Sequence, residues 1–85
     1  MQVTLFTKHS CQLCDALKYE LLDLQAEYGF GFNEHFVEDA QGRREDEKKH
    51  VPYVDMERSD GSTVRFEFPV KQIDLRRAIR VEMGR

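Results

Sequence analysis

One stretch near the start of the chain constrains its fold more than any other. A mostly apolar run, Val3-Thr4-Leu5-Phe6, leads through the polar turn Thr7-Lys8-His9-Ser10 into Cys11-Gln12-Leu13-Cys14 and then into helical spacing. The order strand, turn, two cysteines, helix puts Cys11 at the first turn of a helix. There, unpaired backbone N–H groups and the positive end of the helix dipole favour a thiolate. A disulfide between Cys11 and Cys14 closes so short a loop that it would restrict the unfolded chain very little, so stability is a poor reason for it. Two cysteines at this spacing, on a strand-to-helix junction and with no secretion signal before them, read as a redox pair.

The 85 residues are enough for one small core and one domain, taken as residues 1–85. With net charge −3, 34% charged residues and no basic block, nothing tracks a phosphate backbone or an anionic membrane, so neither nucleic acid nor a membrane is expected as a partner. No charged segment followed by a long apolar one opens the sequence, and no apolar run reaches the roughly 18 residues of a bilayer span. A soluble, cytoplasmic protein is expected.

Apolar residues on both faces of Val3 to Phe6 suit a central strand covered from two sides. From Cys11 the period changes, and Cys14, Leu17, Leu21, Leu24 and Tyr28 form one stripe of a helix that Gly29 ends. Cys14 lies on that stripe, whereas Cys11 sits at the helix start with little to cover it. A short strand is expected over Phe32 to Val37. Gln41 to His50 has no apolar side chain and is read as a solvated helical turn or two, or a mobile loop. Tyr53 to Glu57 and Thr63 to Phe68 both alternate and should pair as an antiparallel hairpin. A two-residue loop at Asp60-Gly61 would set Met56 against Arg65 and Val54 against Glu67. A three-residue loop, Ser59-Asp60-Gly61, sets Met56 against Val64 and Val54 against Phe66, so a type I turn with a left-handed Gly61 is predicted. A last helix runs from about Gln72 to Met83, burying Leu75, Ala78 and Ile79, with Arg76, Arg77 and Arg80 outside, either Asp74 as N-cap or a start one turn earlier, and Gly84 as stop. The result is an α/β layer fold with a four-stranded mixed sheet, its first two strands parallel by a right-handed crossover.

Disulfide exchange needs an attacking thiolate, a second thiol to release the mixed disulfide, and a geometry that holds the two within bonding distance. Cys11 is read as the nucleophile and Cys14 as the resolving thiol. Lys8, three residues before Cys11, and the helix N-terminus would both favour the Cys11 thiolate, at sites of this kind whose pKa falls to roughly 3.5–7.5. Asp15 would oppose them only if it turned back toward the sulfur. The same two cysteines are half of a zinc site, but His9, His35 and His50 are scattered and no second C-x-x-C appears, so no metal site is assigned. Phe30, Phe32, Phe36, Phe66 and Phe68 read as core. Val51-Pro52 opens a strand either as an ordinary edge proline or as a cis peptide that presents the Val51 backbone to an extended thiol substrate.

These features together, VTLFTKHSCQLC, a helix, a short strand, VPYV about forty residues on, a hairpin and a final helix, resemble the thioredoxin-fold superfamily and, within it, the glutaredoxin-like proteins. The resemblance spans nearly the whole chain. It implies a thioredoxin-like fold of order β-α-β-(α)-β-β-α with helices on both faces of the sheet. It also implies Cys11 as attacking thiol, Cys14 as resolving thiol, Pro52 as a cis-proline, and Val51 and Lys8 as substrate-binding residues, with Lys8 near a glutathione carboxylate. Gln12-Leu13 stands where glutaredoxins typically carry Pro-Tyr, and Cys11-Gln12-Leu13-Cys14-Asp15 is similar to a C-x-L-C-D branch. Phe68 to Asp74 lacks the glycine pair that glutaredoxins place before the last helix. The function so implied is a small thiol–disulfide oxidoreductase reducing protein or small-molecule disulfides. It would bind no cofactor, take electrons from glutathione as co-substrate or from a thioredoxin reductase, and act as a monomer. The alternative is a binding module that holds a metal or iron–sulfur cluster through the same cysteines.

Overall fold

The computed structural model describes residues 1–37 and 51–84. In chain order these form β1 (Gln2–Thr7), α1 (Gln12–Tyr28), β2 (Gly31–Phe36), β3 (Tyr53–Glu57), β4 (Thr63–Phe66) and α2 (Gln72–Glu82). The four strands make one sheet in the order β2-β1-β3-β4, with β1 parallel to β2 and antiparallel to β3, and β3 antiparallel to β4. β1 is therefore central. Its Val3 and Leu5 are fully buried while Thr4 and Phe6, on the opposite face, are half-buried.

Both described helices cover the face that carries Val3 and Leu5. Leu17, Leu21, Leu24 and Tyr28 of α1 and Leu75 and Ile79 of α2 share one core with Val3, Leu5, Phe30, Val54 and Met56. Each fully buried leucine or isoleucine contributes about 1.5–3 kcal/mol of hydrophobic stabilisation. The stripe on α1 is the one its spacing predicts, and the helix stops at Gly29, whose φ of 78° is left-handed and whose N–H donates to the Gln25 carbonyl. Helices on both faces were expected. The described residues show the two on one face, and the Gln41 to His50 segment lies outside them.

The hairpin has the longer of the two loops considered. Val54 opposes Phe66 and Met56 opposes Val64, and Arg58 rather than Ser59 faces Ser62, its N–H donating to the Ser62 carbonyl at 2.7 Å. Gly61 is left-handed at φ 91°, and its N–H donates to the Arg58 carbonyl at 3.0 Å. One Asp60 carboxylate oxygen accepts from the N–H (2.9 Å) and hydroxyl (2.6 Å) of Ser62. A one-residue slip would turn Met56 and Val54 out of the core, so burial and turn chemistry select the same register.

Several expected boundaries shift. β2 starts and ends one residue early, and β4 stops at Phe66, short of Pro69, which has no amide hydrogen to offer the ladder. Phe68 consequently leaves the core and is 43% exposed. Asp74 is not the N-cap of α2. Lys71 occupies that position without a side-chain cap bond, and Asp74 sits inside the first turn, where its charge still suits the helix dipole. Arg76, expected outside, is half-buried between the helices, 3.0 Å from Glu20 and 3.7 Å from Glu27. No described helix is long and apolar enough to cross a membrane. The strand order and the helix pair on one face are those of a thioredoxin-like fold.

Candidate active site

Cys11 is the N-cap of α1. Its backbone is extended (φ −126°, ψ 105°), its carbonyl accepts the first helical bond from the Asp15 N–H at 3.0 Å, and its Sγ accepts from the Cys14 N–H at 3.2 Å. A cysteine thus occupies the position where serine or aspartate usually satisfies the free N–H groups of a helix start. Ser10, immediately before it, is in the left-handed region at φ 54°, the only non-glycine there among the described residues. That conformation costs a non-glycine residue about 1–3 kcal/mol. It turns the chain sharply out of β1 and sets Cys11 over the helix axis.

Cys11 and Cys14 are joined as a disulfide, their Cα atoms 5.2 Å apart. Cys14 is fully buried and Cys11 partly so. The first sulfur is less open than its place at the helix start suggested, because it packs against the small cluster of Cys14, Val37, Val51 and Tyr53, with Phe6 alongside. The asymmetry expected of the two sulfurs is kept in degree, one sealed and one partly accessible.

Of the other residues singled out, Val51 is buried in this same cluster, so distant segments of the chain meet at the disulfide. The Val51-Pro52 peptide bond is cis. Pro52 lines a groove of about 190 Å³ with Leu13, Ala16, Leu17, Phe68, Pro69, Val70 and Gln72. Lys8 is exposed on the turn before Cys11. Of the three histidines, His9 stacks on Phe36 with ring centroids 4.4 Å apart and His35 lies 5.3 Å from the Phe6 ring, while His50 falls outside the described residues. Among the described residues no group of three metal-ligating side chains forms.

Two parts of the site carried no clear sequence signal. The groove is one: Leu13, between the two cysteines, is 61% exposed and faces Phe68 and Pro69 across it. The other lies on the opposite sheet face, where Phe6 and Tyr53 stack at 4.5 Å and the Arg65 guanidinium sits over Tyr53 at 4.7 Å. Arg65 is held there by two bonds to Asp55, at 2.7 and 2.9 Å. The hydrogen bonds to Asp55 raise its pKa far above the ordinary arginine value, so it stays charged at every accessible pH. This pair braces the far side of the aromatic layer next to the disulfide cluster.

The chain matches no family model and no curated protein. Its fold is similar to the X-ray structure of Northeast Structural Genomics target protein XcR50 from X. campestris. That structure is 22% identical, with a TM-score of 0.65 over 93% of this chain and 96% of the other. At that identity the likeness speaks for the fold.

Proposed function

We propose that this protein is a small thiol–disulfide oxidoreductase of the glutaredoxin-like kind, reducing disulfides in protein substrates through Cys11 and Cys14. The observation that carries the reading is the joined pair at the start of α1, with one sulfur partly accessible at the N-cap and the other sealed behind it. In the reduced protein the Cys11 thiolate is favoured by the N–H groups of the first turn and the helix dipole. It attacks one sulfur of the substrate disulfide; a Cys11–substrate bond forms, the substrate S–S bond breaks, and the first substrate thiolate leaves and takes up a proton. Cys14, deprotonated, then attacks Cys11 Sγ, expelling the second substrate thiolate. The protein ends as the Cys11–Cys14 disulfide and the substrate as a dithiol. Two electrons from a thiol or dithiol donor, glutathione or a thioredoxin reductase, restore the pair.

The groove beside the disulfide favours an apolar stretch of protein over glutathione as the disulfide-bearing partner. Its eight lining residues carry no charge, so the two carboxylates of glutathione would find no cation among them. Pro52 lines the groove; the Val51 backbone beside Pro52 would pair with an extended substrate strand, and Lys8 would bind an acidic group on the substrate. Trapping tests this reading: Cys14→Ser, mixed with a peptide carrying a disulfide next to apolar residues, is expected to accumulate a Cys11–peptide adduct visible by mass spectrometry. Cys11→Ser should form none. An adduct that forms equally well at Cys14 in the Cys11→Ser protein would refute the assigned roles.

A further inference from the structure

Five large apolar side chains are exposed among the described residues, and two of them, Leu13 and Phe68, flank the groove at the sulfurs. The other three, Tyr19, Ile73 and Val81, are each more than 60% exposed and lie on the outer surfaces of α1 and α2. These helices sit side by side on one sheet face. At about 100° per residue, Asp15, Tyr19 and Asp23 fall on one outward line of α1. Ile73, Arg77 and Val81 fall on one outward line of α2, with Arg80 beside them, and all seven residues are exposed. The first line reads acid, aromatic, acid, and the second reads aliphatic, cation, aliphatic. Arg76 is engaged in the seam by Glu20 and Glu27, whereas Asp15, Asp23, Arg77 and Arg80 form no ion pair among the described residues.

β4 is antiparallel to β3 and β3 to β1, so β1 and β4 run the same way, and the helices that follow them return in the same direction. A two-fold axis along that direction, between the helices, lays α1 of one copy against α2 of the other, and the same contact is made twice. Acid then meets base at both contacts, and Tyr19 meets the Ile73 and Val81 line. We infer that the outer α1–α2 layer is a self-association surface that pairs two copies of this chain, in departure from the monomer expected from the sequence. Two short helices bury little, which puts the pair in the transient class, below roughly 1,200 Å² of total interface, and makes it salt-sensitive. The inference is independent of the redox reading.

Sedimentation velocity of the oxidised full-length protein over a concentration series tests it. The expected result is a concentration-dependent shift from monomer to dimer that added salt reverses. Two surface variants sharpen the test: Arg77→Glu with Arg80→Glu, which makes both faces acidic, and Asp15→Lys with Asp23→Lys, which makes both basic. Each alone should be monomeric, and an equimolar mixture of the two should sediment as a dimer. All four positions are exposed, and thermal melts confirm that each variant is folded. A parent protein that stays monomeric, variants that dimerise alone, or a mixture that does not recover the dimer would each overturn the proposal.

Discussion

Alkylation of the reduced protein should separate the two sulfurs by rate, and the structure sets the size of the separation. Cys14 is fully buried on the stripe that Leu17 continues, so a reagent reaches it only when the first turns of α1 detach. Detachment exposes the Leu17 side chain, at about 1.5–3 kcal/mol, and the Cys14 side chain, at about 1 kcal/mol more. An opening cost near 2.5–4 kcal/mol, at about 1.4 kcal/mol per factor of ten, corresponds to roughly 60- to 700-fold protection. Cys11 needs no such opening, and its place at the helix N-terminus adds thiolate character in the same direction. Reduced protein is treated with limiting iodoacetamide at neutral pH, quenched at intervals and digested with trypsin. Cleavage after Lys8 and Lys18 leaves both cysteines on one peptide, so fragment ions assign the label. Cys11 should be labelled first by about two orders of magnitude, and the difference should collapse in denaturant. Equal rates in the native protein would refute the division into nucleophile and sheltered resolving thiol.

Three further results are expected. Leu13→Asp or Phe68→Asp should raise KM for a disulfide peptide with apolar neighbours while leaving kcat nearly unchanged, and unaltered KM in both would remove the groove from substrate binding. Gly61→Ala should cost about 1–2 kcal/mol in urea unfolding. An added Cβ there meets nothing within 4 Å, so the whole loss comes from the left-handed backbone, and no loss would contradict the turn. Glu82 accepts from the Ser59 N–H and hydroxyl and from Arg58, and these bonds, those from Ser59 first, hold its carboxyl below the ordinary glutamate value. A lowered folded-state pKa contributes stability that is present above the unfolded pKa and lost as pH falls through the folded one. Glu82→Gln should therefore be less stable than the parent at neutral pH and match it in acid, and a difference that persists in strong acid would exclude the carboxylate as the cause.

Local rules that act on their own were legible in the sequence, and contacts made between distant segments were not. α1 could be read from its stripe and from Gly29 because one periodicity and one left-handed glycine determine it. The hairpin register could be read because only one loop length sets Val54 and Met56 against apolar partners. Phe68 continued the alternation of β4 and so was assigned to the core, but hydrophobicity does not say whether a ring is covered, and with the ladder ended at Phe66 it faces Leu13 instead. Arg65 alternates with Val64 and Phe66 along β4. Its planar charge pairs with Asp55 and spreads over Tyr53, a position that only the sheet register brings about. Cys11 and Cys14 were identified by their spacing at a strand-to-helix junction, while the Val37, Val51 and Tyr53 cluster around them depends on segments far apart in the chain.

The central claim, that Cys11 and Cys14 cycle between dithiol and disulfide to turn over substrate, is tested most directly by their redox equilibrium in glutathione buffers of graded ratio, read by mass spectrometry. A parallel assay follows reduction of an apolar disulfide peptide and of a glutathione mixed disulfide. The account predicts one reversible two-electron couple, loss of that couple in both single-cysteine variants, and turnover of the peptide in preference to the glutathione adduct. A pair that does not cycle reversibly, above all one that purifies with stoichiometric metal or a coloured cluster, would contradict it and leave the fold as a binding module.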